Sequence, residues 1–90
     1  MTIRITQIDN EKQDLTILWV EGKLYLADAE IVEQVFEDFC RQNGRKIEID
    51  LTATSFIDSD SAAVLKRIEA DGASLTGLDF FIRQIIETQE

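Results

Sequence analysis

Four consecutive residues hold most of the chemistry available to this chain: Asp58, Ser59, Asp60 and Ser61 put two carboxylates and two hydroxyls side by side. They follow an alternating segment, Lys46 to Leu51, and run directly into Ala62-Ala63-Val64-Leu65. A strand that ends in a polar loop and feeds a helix leaves backbone N–H groups unpaired in the helix's first turn. Such a place holds a phosphate or a carboxylate. Asp58 or Ser59 can cap the helix by accepting from a first-turn N–H. Asp60 in that turn then interacts favourably with the helix dipole, by about 0.3–1 kcal/mol. Capping alone accounts for these residue types.

Other chemistry is thinly supplied. The chain has no histidine and a single cysteine, Cys40. Neither Ser59 nor Ser61 has an evident base, and no glycine-rich phosphate loop appears. Catalysis is not expected. Asp50, Asp58 and Asp60 all fall near the end of one strand and the following loop, and oxygen-rich sites of that kind can hold Mg²⁺ or Ca²⁺. Asp50, however, points to the face opposite Ile49 and Leu51, and no basic residue follows at a catalytic spacing. No metal and no cofactor is expected. Cys40 lies in a helical pattern beside Phe36 and Phe39 and reads as a small core hydrophobe in a reducing compartment.

The elements that must position the loop are legible in the periodicity. Ile3 and Ile5 alternate with polar neighbours, and Leu15–Val20 is a β-rich run, so residues 2–8 and 14–21 predict an antiparallel hairpin ended by Gly22. Trp19 shares a face with Leu15 and Ile17 and is assigned to the core. Residues 28–43 predict a helix, with Ile31, Val35 and Phe39 beside Val32, Phe36 and Cys40 as its apolar stripe, Asp28 as N-cap and Asn43-Gly44 as the stop. Residues 45–51 predict a strand with Ile47, Ile49 and Leu51 on one face. Residues 60–70 predict a helix with Val64, Leu65 and Ile68 inward. Residues 73–77 allow a brief edge strand. Leu78, Phe81, Ile82, Ile85 and Ile86 mark a terminal helix. The order β-β-α-β-α-β-α implies an α/β fold, a small mixed sheet with helices packed on one face.

Ninety residues, 44% of them hydrophobic, suit one domain over residues 1–90. Nine basic and eighteen acidic residues give a net charge of −9. That disfavours nucleic acid and anionic membrane as partners and favours a basic protein surface. It also serves simply to keep a small domain soluble. No segment predicts a signal peptide or a membrane span. Phe80 beside Phe81, and an uncovered sheet face, could support contact with a partner or a homodimer. Tyr25 and Leu26, just before the first helix, lie near a surface where partners could dock. Lys66-Arg67 and Arg83 are read as solvated helix faces.

Several segments together resemble the STAS domain family, that of the anti-sigma factor antagonists. Leu15–Gly22 with Lys23–Glu30 is similar to that family's strand, glycine and leucine-x-leucine approach to its first helix. Lys46–Leu65 resembles its strand, Asp-Leu pair, signature loop and second helix. Gly72–Leu78 with Phe81-Ile82-Arg83 resembles its closing segment. The signature reads hydrophobic-Asp-Ser-Ser/Thr-Gly-hydrophobic, and the second hydroxyl is the phosphoacceptor. Here Asp60 stands at that position and Ser61 at the glycine. The resemblance implies a non-catalytic, cytoplasmic, bacterial interaction module in signal transduction. Its contact patch would be Asp58, Ser59, Asp60, Ser61, Ala62 and Ala63, and its partner an anti-sigma factor of the serine-kinase type. Phosphorylation there breaks the complex by adding about −1.5 to −2 of charge. Asp60 holds a smaller permanent charge, as a phosphomimetic or as a docking residue for a basic surface. Ser59 and Ser61 are alternative phosphoacceptors. Stand-alone members of this family also brace the ATPase of ABC-type lipid transporters, which is the alternative role.

Overall fold

The computed structural model describes residues 3–88, with Asn43, Phe80 and Phe81 described in backbone only. The expectations for the Phe80 and Phe81 side chains therefore lie outside the described residues. The elements run β1 (Ile3–Asn10), β2 (Leu15–Leu24), α1 (Leu26–Asn43), β3 (Lys46–Asp50), β4 (Thr54–Ile57), α2 (Ser59–Ala70), β5 (Ser74–Thr76) and α3 (Phe80–Glu87). The expected order holds, and β4 is a fifth strand within the stretch expected to be loop.

β1 and β2 pair antiparallel, while β2 pairs parallel with β3 along Leu15–Trp19 and with β4 along Gly22–Leu24. β3 carries β5 on its other edge. β4 thus continues the line of β3 along the second half of β2. The antiparallel pairing with β1 reaches Gly22, as expected, but strand β2 itself runs on to Leu24 beside β4, with Gly22, at φ 110°, at the point where the register shifts.

The core lies between the inward face of the sheet and the helices. Leu18, Val20 and Leu24 from β2, Ile47 and Ile49 from β3, and Leu51 meet Ala29, Val32 and Phe36 of α1 and Val64, Leu65 and Ile68 of α2. Ile86 of α3 closes one end. In β2 the inward set is therefore even-numbered. Trp19, expected in the core with Leu15 and Ile17, instead faces the uncovered side, half-buried, and its Nε1 donates to Glu21 Oε1 at 2.9 Å. The reason lies in pairing: Leu18 lies beside the buried Ile49 in register, and a strand's neighbours across a sheet share a face.

The first helix also differs in detail. Its N-cap is Tyr25, and Asp28 sits at the third position, reaching back to accept from Tyr25 N at 3.1 Å. This is half of a capping box, so Asp28 caps from inside the helix rather than before it. Ile31 and Cys40, expected on the buried stripe, are exposed. The inward line runs Ala29–Val32–Phe36, with Ile31 at its margin, and α1's last turn extends past the core. Ile85 of α3 is exposed as well, leaving Ile86 inward.

Two arginines expected on solvated faces hold helices together. Arg67 of α2 donates from Nε and Nη2 to both carboxylate oxygens of Glu33 on α1, each at 2.6 Å. Arg83 of α3 donates to Glu69 of α2 at 3.2 Å. The Arg67 guanidinium, through those hydrogen bonds, holds the Glu33 carboxyl below its ordinary value of 4.5. A carboxyl lowered by folding contributes stability that is full above the unfolded value and is lost as pH falls through the folded one. The melting-temperature gap between the native chain and Arg67→Met should therefore be full near neutral pH and shrink as pH falls below about 4.5. A gap independent of pH over that range would mean the pair contributes only packing.

Candidate interaction site at the start of the second helix

The expected loop is held by its own caps and by β2. Asp58 is the N-cap of α2, its Oδ1 accepting from Ser61 N at 2.8 Å. That bond is worth about 0.5–2 kcal/mol. Asp58 N donates to Leu24 O at 3.3 Å, and Ser61 Oγ donates to the same carbonyl at 2.9 Å. The end of β2 is thereby fastened to the first turn of α2, and the two connections, 24–26 and 57–61, form one surface.

The expected patch divides in two. Ser59 and Asp60 are exposed, and Asp58 and Ala63 are half-exposed. Ser61 and Ala62, expected in the patch, are fully buried. Ser61 turns inward, its hydroxyl donating to the Leu24 carbonyl, and Ala62 follows it into the core. Of the two serines, Ser59 is the one that solvent reaches. Beyond the loop, Ala63, Lys66, Arg67 and Ala70 line a shallow depression of about 370 Å³ on α2.

The aspartate trio does not form. Asp50 is level with Trp19 on β2, while Ile57, just before Asp58, is level with Leu24. Five residues of strand separate them, about 16 Å. Asp50 Oδ1 is instead taken up by Thr52 N at 2.9 Å and Thr52 Oγ1 at 2.6 Å. Among the described residues no group of three or more acidic or sulfur side chains is placed to hold a metal ion.

Local sequence pattern does not join two aromatic residues that meet on this surface. Tyr25 and Phe56 pack ring against ring, with centroids 5.4 Å apart and planes tilted by 44°. The placement of Phe56 follows from a bulge. Gly22 pairs with Thr54, but Lys23 pairs with Phe56, so Ser55 is an extra residue on β4. A bulge re-aims the side chains after it. Phe56 consequently shares the outward side with Lys23, Ile57 turns inward beside Leu24, and the buried–exposed–exposed–buried pattern of Thr54–Ile57 results.

A mixed sheet with three helices over one face, and an acidic loop capping the second of them, defines a class of small α/β domain. The STAS domain family profile matches residues 6–88, and the chain belongs to that family. No curated protein matches it in sequence. A crystal structure of an antisigma-factor antagonist, a STAS domain from Rhodobacter sphaeroides, is similar to it with a TM-score of 0.65 at 18% identity, over 99% of this chain and 97% of that one. At that identity the likeness is one of fold. No helix among the described residues is long and apolar enough to cross a membrane.

Proposed function

We propose that this protein is a non-catalytic interaction module of the anti-sigma factor antagonist type, one domain over residues 1–90, working in the bacterial cytoplasm as part of a regulatory switch. Its partner-binding patch is Asp58, Ser59, Asp60 and Ala63, with Ser61 and Ala62 holding that patch in place from beneath. The observation that carries this reading is the exposed carboxylate of Asp60 in the first turn of α2. By the resemblance of this loop to the family's signature, it takes the place of the hydroxyl that is phosphorylated. A carboxylate there cannot be switched by a serine kinase, so the charge is constant and partner choice rests on complementarity to it.

The test is affinity capture from the native host, with the wild-type chain beside Asp60→Arg and Ala63→Arg and bound proteins identified by mass. A kinase-like anti-sigma factor that is lost with both variants is the expected result. Replacing Asp60 by Arg reverses a charge in the contact and should weaken binding by about tenfold or more. A transporter ATPase in its place would move the protein to the bracing role. Capture unchanged by both variants would remove the patch. Phosphate on Ser59 in the natively expressed protein, seen by intact mass, would end the constant-charge reading.

A further inference from the structure

We propose that the Tyr25–Phe56 pair is the affinity anchor of this surface and that its occupant is an arginine-bearing protein segment with an adjoining apolar side chain. The inference rests on the interaction-module reading and specifies the chemistry of the partner.

Three observations carry it. Tyr25, Leu26 and Phe56 are 42%, 41% and 41% exposed, so three large side chains stand partly in solvent, two where β2 leads into α1 and one on β4 just before α2. A fold this small has every reason to bury them, and Leu24 and Ile57, their chain neighbours, are buried. Phe56 is outward only because the bulge at Ser55 turns it there. An uninterrupted β4 would have paired Ser55 with Lys23 and sent Phe56 inward. Finally, the carboxylates of Asp58 and Asp60 follow Phe56 by two and four residues, on the helix start that Ser61 ties to Leu24 O.

Two exposed rings followed in the chain by carboxylates at a helix start suit one kind of side chain. A guanidinium stacks on an aromatic face and offers a planar fork of donors to a carboxylate. A lysine ammonium makes the second contact without the planar stack. Lys23, beside Phe56 in register, is the opposing charge, and the two aspartates outweigh it. Other occupants fit less well. Nucleic acid and anionic lipid are repelled by a chain of net charge −9, and a second copy would bring a further −9 against it. Aromatic anchors ringed by polar groups are the usual site of concentrated binding energy.

The probe is a random-peptide display library panned against the full chain, followed by affinity measurement of selected peptides with the wild type, Tyr25→Ala, Phe56→Thr and Asp60→Asn. Tyr25→Ala leaves the helix cap intact, because the capping bond uses Tyr25 N, and Phe56→Thr keeps a strand-favouring residue. Melting temperatures of each variant are measured alongside, and Tyr25→Ala alone decides should Phe56→Thr misfold. Selected peptides should be enriched in arginine next to an aliphatic or aromatic residue. Their affinity should fall by about tenfold or more with each aromatic variant and with Asp60→Asn. Peptides that depend on Asp60 but not on Tyr25 or Phe56 overturn the anchor while leaving the loop reading standing. Peptides without basic residues, or a library that yields no binder, overturn the proposal. So does sedimentation showing a wild-type dimer that Phe56→Thr dissociates, since the occupant would then be a second copy.

Discussion

Replacing Ser61 by Asp should destabilise the protein by about 3 kcal/mol or more, the cost of leaving a charge buried without a partner. The Ser61 side chain has no exposure, and its hydroxyl points at the Leu24 carbonyl, an acceptor that attracts a donor and repels a carboxylate. Asp58 and Asp60 lie three and one residues before the position, so neighbouring charge adds to the penalty. A loss of that size is a large fraction of the 5–15 kcal/mol typical of a domain. In a chain of this length it lowers the melting temperature by about 12–24 °C. Ser61→Ala is the control. It removes one hydrogen bond, and Leu24 O keeps its bond from Asp58 N, so the cost should be about 1 kcal/mol. If thermal unfolding finds Ser61→Asp within a few degrees of Ser61→Ala, the buried placement of this serine is wrong. The same physics governs modification. A phosphate on Ser61 requires the first turn of α2 to detach from β2, whereas Ser59, one residue after the cap, requires no such opening.

That burial explains why this part of the site was not legible in the sequence. The residues that form the cap are local: Asp58 and Ser61 lie three apart, and their types announce an N-terminus. The group that draws Ser61 inward belongs to Leu24, 37 residues earlier, and no local pattern points to it. β3 and α2 were legible because each has one wet face and one buried face, so alternation and helical spacing separate them cleanly. The run Leu15–Val20 is apolar or β-favouring at every position, so period two does not choose a face. Trp19 was assigned by its neighbours on the wrong side of that choice. β4 was hidden for a related reason: four residues with a bulge among them break alternation. That break is what turns Phe56 outward beside Tyr25. Cys40 obeys the helical spacing, but spacing does not tell where a helix outruns its core.

Gly77→Ala should be the other costly change, at about 2–5 kcal/mol from two additive causes. Gly77 sits at φ 72°, in the left-handed region, where a side chain costs about 1–2 kcal/mol. An added Cβ would also collide with Thr52 Oγ1 and lie 2.6 Å from Asp50 Oδ1. Forcing a carbon into a packed site costs about 1–3 kcal/mol more. The neighbours cannot easily give. Thr52 and Asp50 are tied to each other, Leu51 N donates to Thr76 O at 2.9 Å, and Thr54 N donates to Leu51 O at 3.0 Å. Gly44→Ala isolates the first cause, since Gly44 is also left-handed, at φ 62°, but an added Cβ there meets nothing within 4 Å. Urea unfolding should place Gly77→Ala well below Gly44→Ala, and equal midpoints would show that crowding contributes nothing. The consequence reaches the proposed contact surface. Residues 51–54 set where β4 starts along β2, and β4 sets where Phe56 and Asp58 emerge. A Gly77→Ala chain that still folds should therefore bind its partner less well, although Gly77 itself lies away from the contact.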